Sequence, residues 1–167
     1  MPTSANEMLL DNFEPPVMSR WSYVADTVMG GRSTGQGELL TEGGISFARL
    51  SGNVTTANNG GFIQIRRPFP SLSTSTYSGV KLTVRGNSET YFVHLRTQQS
   101  NRPWAYYQAE FLTTQSWTEV YIPFENFTAS TGFLPAEFEP SDLISIGIVA
   151  YGRDHQAQLD LSELALF

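Results

Sequence analysis

Apolar residues recur at every second position through much of this chain. Val80, Leu82 and Val84 alternate with Lys81, Thr83 and Arg85. Tyr91, Val93 and Leu95 alternate with Phe92, His94 and Arg96. Ile144, Ile146, Ile148 and Ala150 keep the same rhythm, and Leu159, Leu161, Leu164 and Leu166 close the chain with an irregularity near Ser162. A period of two marks strands with one buried face, and no window of helical length carries a convincing 3.6-residue period. Turn signals separate the runs at Gly43-Gly44, Asn58 to Gly61, Gly86 to Ser88, Gln98 to Pro103 and Tyr151 to Asp154. The pattern predicts strands near 9–14, 20–25, 37–41, 44–50, 52–57, 61–67, 77–85, 90–97, 104–112, 117–123, 142–151 and 157–167, with a short helical turn within 135–142. Many short strands at regular spacing make an all-β sandwich or barrel.

Length and composition narrow this picture. A chain of 167 residues reads as one domain over 8–167, with residues 1–7 as a flexible tail. That length buries roughly 70% of the unfolded surface, enough to fold without a metal or a disulfide. Cysteine is absent, so neither a disulfide framework nor a thiolate zinc site is available. The net charge of −6, with only 16% charged residues, argues against nucleic acid, where a basic face supplies most of the affinity. The first residues have no basic start and no apolar run of signal length, and no segment approaches a membrane span, so the expected location is cytoplasmic.

Two glycine-rich stretches carry candidate chemistry. "DTVMGGRS" (26–33) lacks the lysine and the following helix of a Walker loop. Gly30 and Gly31 can expose backbone N–H groups as an anion nest, with Arg32 and Ser33 alongside. The plainer reading gives both glycines positive φ and has Asp26 satisfy nearby N–H groups or pair with Arg32. "NNGGF" (58–62) reads as a tight connection or hairpin in which Asn58 and Asn59 accept left-handed backbone. A polar sheet face is the third candidate. Strand alternation places Gln64 with Arg66, His94 with Arg96, and Tyr106 with Gln108 and Glu110. If these strands adjoin, they form a shallow groove; the alternative is a solvated face with cross-strand ion pairs. Catalysis finds little support: there is no G-x-S-x-G elbow, and His155 reads as a solvated turn residue. No cofactor is implied. Asp11, Glu14 and Asp160 are the oxygen ligands a structural calcium would use, although acids at such positions are more often edge and turn residues.

Four phrases in order carry a resemblance: "DTVMGGRS" after Trp21, "NNGGF", "YSGVKLTVRG" (77–86) leading to Tyr91 and Leu95, and "WTEVYIPFENF" (117–127). Together they resemble the complex I intermediate-associated protein 30 family, whose founding members help assemble respiratory complex I. The resemblance implies a galactose-binding-like, jelly-roll β-sandwich, a fold also used by carbohydrate-binding modules. It also makes the two glycine loops paired signatures, expected to lie close together. The chain departs from the family at Gly86-Asn87-Ser88, where Gly-Asp-Gly is usual, and at Gly132, which lacks a preceding base. It has no G-x-G-x-x-G, so no NAD chemistry is implied. The expected function is a non-catalytic interaction module that binds a protein partner, such as complex I subunits or assembly intermediates, through a sheet face and the glycine loops. The alternative is a module binding carbohydrate or a small ligand. The negative charge disfavours direct contact with anionic lipid, so a membrane complex would be reached through protein.

Overall fold

Where the sequence alternates, the backbone is extended. The computed structural model describes residues 7–13, 21–69, 77–100, 102 and 104–167. Residues 1–6 of the expected tail, and Glu14, lie outside them. Within the described residues there are twelve strands, several 3-10 turns and no α-helix. The strands are β1 (Met8–Asp11), β2 (Ser22–Ala25), β3 (Thr34–Glu42), β4 (Ile45–Val54), β5 (Phe62–Pro68), β6 (Gly79–Gly86), β7 (Thr90–Thr97), β8 (Tyr107–Leu112), β9 (Thr118–Pro123), β10 (Thr128–Ala129), β11 (Leu143–Tyr151) and β12 (His155–Leu166). The expected helical turn is a 3-10 turn at Pro140–Asp142. No helix among the described residues is long and apolar enough to cross a membrane.

The strands form two antiparallel sheets. The first runs β3-β4-β12-β6-β9, with β1 paired to the end of β12 that β4 leaves free. The second runs β10-β8-β7-β11-β5-β2. Val80, Leu82, Val84, Leu159, Leu161 and Leu164 from the first sheet meet Tyr91, Val93, Leu95, Ile146 and Ile148 from the second in one buried core. The register slip near Ser162 is present, between Leu161 and Glu163 in the pairing with β6. It lets the apolar positions switch from odd to even numbers while remaining on the core side.

Three expectations change. Residues 44–57, read as two strands, contain a single strand, β4. Its Ser51-Gly52-Asn53 looks like a turn but pairs with β3 on one side and β12 on the other. A Cβ on Gly52 would run into the Thr34 carbonyl oxygen, so this glycine serves close strand approach rather than a turn. Ile144 does not join the core, because a bulge between Leu143 and Ser145 buries Leu143 and leaves Ile144 exposed. The short β10 carries too few residues to show a period.

Charges are placed as deliberately as apolar groups. Asp11 and Arg67 join β1 of one sheet to β5 of the other through a buried ion pair at 3.2 Å. Asp11 also accepts the Trp21 indole N–H at 2.8 Å and the Phe13 backbone N–H at 2.9 Å. On the outer face of the first sheet, Asp160 accepts from Arg49 at 2.7 Å and from Arg85 at 2.8 Å. Arg85 reaches Glu42 at 3.1 Å and lies over the rings of Trp117 and Phe47. Lys81 has Glu7, Glu119 and Glu163 within 3.4 Å. Burial works against the Lys81 charge, but these carboxylates outweigh it and raise the pKa. Asp11 and Asp160 are therefore arginine-paired acids on different strands. Among the described residues, no group of acids and histidines is arranged to hold a metal ion.

Asp160→Ala would strand two guanidiniums over apolar rings. Breaking a buried pair costs about 3–5 kcal/mol, and the partial exposure of both arginines lowers the expected loss to about 2–3 kcal/mol. Urea unfolding measures it; a loss below about 0.5 kcal/mol would mean that the network is only a surface ornament.

Candidate functional site

The first glycine loop follows β2, where alternation stops. Asp26–Met29 makes a 3-10 turn closed by Gly30, whose φ of 86° is left-handed. Gly31 does not share that conformation, contrary to the expectation that both glycines need positive φ. It is constrained by space, because a Cβ there would collide with the Asp26 carboxyl group. The second loop crosses from β4 in one sheet to β5 in the other, so it is not a hairpin. Asn58 takes the left-handed backbone (φ 57°), Asn59 completes the turn, and Gly61 has φ 131°. Gly60 is again a matter of room: a Cβ would strike Asp26 Oδ2 and would sit 3.0 Å from Gly31 Cα.

Asp26, fully buried, is therefore the junction of the two signatures. Its Oδ1 accepts the Ser33 N–H at 3.0 Å. Its Oδ2 accepts the Ser33 hydroxyl at 2.6 Å and the N–H groups of Gly61 at 2.6 Å and Phe62 at 3.3 Å. The Ser33 hydroxyl in turn accepts the Thr55 N–H at 2.9 Å. Burial pushes the Asp26 pKa up, but donation from Ser33, Gly61 and Phe62 prevails and holds it below the usual carboxylate value. Arg32 is not a partner of this carboxylate; it is exposed and makes no ion pair among the described residues. The nearby Tyr151–Asp154 turn is tied in by Gly152 N–H to Gly61 O at 2.8 Å and Thr56 N–H to Asp154 at 2.7 Å. His155 is no solvated turn residue. It begins β12, packs 6.3 Å from the Tyr91 ring and holds the Arg153 carbonyl at 2.8 Å. Asn87, in the turn where the family usually has Asp, accepts the Tyr91 hydroxyl at 2.5 Å and donates to Gln156 O at 2.8 Å.

The second sheet brings the polar strand residues together on its outer face. Pairing fixes one row across five strands: Gln108 (β8), His94 (β7), Gly147 (β11), Arg66 (β5) and Ser22 (β2). The next row reads Glu110, Phe92, Val149, Gln64 and Val24. Arg96 and Tyr106 lie beyond the first row, towards the strand ends. Gly147 keeps the floor low: a Cβ there would lie 2.6 Å from the Gln64 amide oxygen. His94 stacks on Tyr106 at 3.9 Å and meets Tyr151 edge-on at 5.8 Å. Its Nε2 bonds Gln108 Oε1 at 2.7 Å. Burial depresses its pKa to about 4, against the effect of Gln108, so the ring is neutral at pH 7. Burial and a hydrogen bond with the Tyr151 phenol raise the Tyr106 pKa.

The positive charge of this face thus comes from arginine alone. Arg96 donates to the carbonyls of Arg102 and Ala105 at 3.1 and 3.2 Å and lies over the Tyr106 ring. Burial and the neighbouring Arg66 lower its pKa to about 10. Arg66 is half-buried, its pKa lowered by burial, and among the described residues it makes no hydrogen bond or ion pair. Glu110 stands exposed one row away, on β8. Sequence reasoning missed Tyr151, whose Tyr-Gly dipeptide reads as a turn; the alternation of β11 through Gly147 and Val149 was the available signal. The glycine loops lie at the opposite end of this sheet from Arg96 and Tyr106, because Ala25 ends β2 and Phe62 begins β5.

The two antiparallel sheets make an all-β sandwich of the jelly-roll kind, with one polar, aromatic sheet face. A Family 11 carbohydrate-binding module from Clostridium thermocellum, solved with a beta-1,3-1,4-mixed-linked tetrasaccharide, is similar at TM-score 0.77 and 15% identity, over 96% of this chain and 95% of that one. A Family 30 module of a cellulosomal cellulase from the same organism is similar at TM-score 0.67 and 13% identity, over 96% of each chain. Such identities speak for the fold alone. No curated protein matches the chain. The family model for complex I intermediate-associated protein 30 matches residues 11–162, and the chain belongs to that family.

Asp26→Asn should destabilise the protein by about 2–4 kcal/mol at pH 7, since charge-assisted bonds to buried N–H groups are lost and an amide donor replaces an acceptor. A depressed folded pKa adds stability above the unfolded carboxyl value of about 3.9, and that stability disappears as pH falls through the folded value. The gap between wild type and variant in urea unfolding should therefore narrow below about pH 4. A gap that stays constant down to pH 2 would contradict this role.

Proposed function

We propose that the protein is a non-catalytic interaction module of the complex I assembly kind, which binds a protein partner through the outer face of its second sheet. The observation that carries the reading is Arg66. On the first sheet, Arg49, Arg85 and Lys81 each have carboxylates from their own chain. Arg66 has none among the described residues, although it is half-buried, and burial disfavours its charge there. A guanidinium in such a place gains most from a carboxylate supplied from outside. The fixed rings and amides around it supply shape and hydrogen bonding at small entropic cost. The glycine loops then act as the frame behind the face rather than as the contact itself. In this reading the module meets complex I subunits or assembly intermediates from the cytoplasmic side.

Gln64, Gln108, Tyr106 and Tyr151 on one face also favour a second reading, a glycan site. It is the weaker one, because His94 already covers one side of the Tyr106 ring and a neutral glycan offers Arg66 no anion.

Affinity capture with quantified complex I subunits and assembly intermediates separates the two. Arg66→Ala and Arg96→Ala should each reduce capture about tenfold or more, with unfolding stability within about 1 kcal/mol of wild type. Calorimetry with mixed-linked β-glucan oligosaccharides should show no binding. Unchanged capture in both variants, or saturable glucan binding lost in Arg66→Ala, would reverse the assignment.

A further inference from the structure

Beyond the cationic end of the sheet face, two aromatic side chains stand in solvent: Trp104 at 56% exposure and Phe133 at 53%. The Arg102 guanidinium lies 5.7 Å from the Trp104 ring and 6.0 Å from the Phe133 ring. Arg102 makes no ion pair among the described residues. The backbone beneath this tip is tied down. The Ser130 hydroxyl bonds the Trp104 carbonyl, accepts the Tyr106 N–H at 3.0 Å, and the Ser130 N–H reaches the Tyr106 carbonyl at 2.8 Å. Leu134, next to Phe133, is buried, and the Tyr107 hydroxyl holds the Pro135 carbonyl at 2.7 Å. Phe133 is therefore projected by an anchored loop rather than left loose. Arg96 links tip to face, since its guanidinium donates to the carbonyls of Arg102 and Ala105.

We infer that this tip and the sheet face form one composite site for an acidic segment of a partner protein that carries a large apolar side chain. The inference rests on the protein-binding reading above and names the chemistry of the partner. Arg66, Arg96 and Arg102 line the path from face to tip, in a chain of net charge −6 whose first-sheet cations are matched internally. That local excess selects carboxylates. Exposed Trp, Phe and Arg held on a fixed backbone are the groups that dominate interface energetics when covered. The apolar side chain of the segment lies against Trp104 and Phe133, and its carboxylates meet Arg102, Arg96 and Arg66. Glu110, farther along the face, sets the polarity: the acidic part of the segment stays at the arginine end. The neighbouring cleft lined by Glu137, Glu139 and Asp142 with Tyr107 repels the same segment.

The test is selection of a displayed random peptide library on the immobilised full chain, followed by affinity measurement with the enriched peptides. Enriched sequences should combine two or more Asp or Glu with one Trp, Phe or Leu. Trp104→Ser with Phe133→Ser should weaken their binding at least tenfold, and exposure of both residues leaves folding intact. Arg66→Ala should weaken it at least fivefold. No enrichment, or enrichment without the acidic-apolar pairing, overturns the inference. If Arg66→Ala reduces capture of assembly intermediates while the tip variants do not, the tip inference fails and the protein-binding reading stands. If Arg66→Ala has no effect on capture or on peptides, the failure belongs to that underlying reading.

Discussion

A charge taken out of water must find a counter-charge or donors, and this requirement organises the molecule. Asp26 meets it with donors from both glycine loops. Asp11 meets it with Arg67 across the sandwich, and Asp160 meets it with Arg49 and Arg85. Each solution joins segments distant in sequence, so each also fixes the fold. Arg66, half-buried, has no counter-charge among the described residues.

The division of labour follows from the two sheets. The first has an outer face closed by its own ion pairs and by arginines lying over Phe47 and Trp117. The second carries a polar floor, kept low by Gly147, in which Gln64 and His94 are buried beside Tyr106 and Tyr151. Its far end is stiffened by the Asp26 junction and its near end by Ser130. A surface held from both ends loses little conformational freedom on binding, which suits a module that presents rather than transforms.

Much of the fold was legible because strand alternation is a local property. Tyr91, Val93 and Leu95 could be assigned to a buried face, and the slip at Ser162 could be located, from the spacing of apolar residues alone. The order of strands was not legible. Gln108, His94 and Arg66 share a row only because β11 inserts between β7 and β5, and nothing in a single sequence fixes that insertion. The reasons for the glycines were half legible. Positive φ could be argued for Gly30, but Gly31 and Gly60 are small because Asp26 needs the room, a long-range fact. Ile144 misled because a bulge resets the period without leaving a sequence mark. Phe133 was hidden in a stretch between predicted strands, Trp104 in a strand read three residues too long at its start, and Tyr151 where a predicted strand meets a turn signal.

The central claim is that one sheet face is internally satisfied and the other awaits a partner. Hydrogen–deuterium exchange of the chain, free and in complex with captured complex I assembly intermediates, tests it most directly. The account predicts added protection in β5, β7, β8 and the 98–106 connection, with exchange unchanged along β4, β6 and β12. Protection gained along β4, β6 and β12, with the second sheet unaltered, would contradict it.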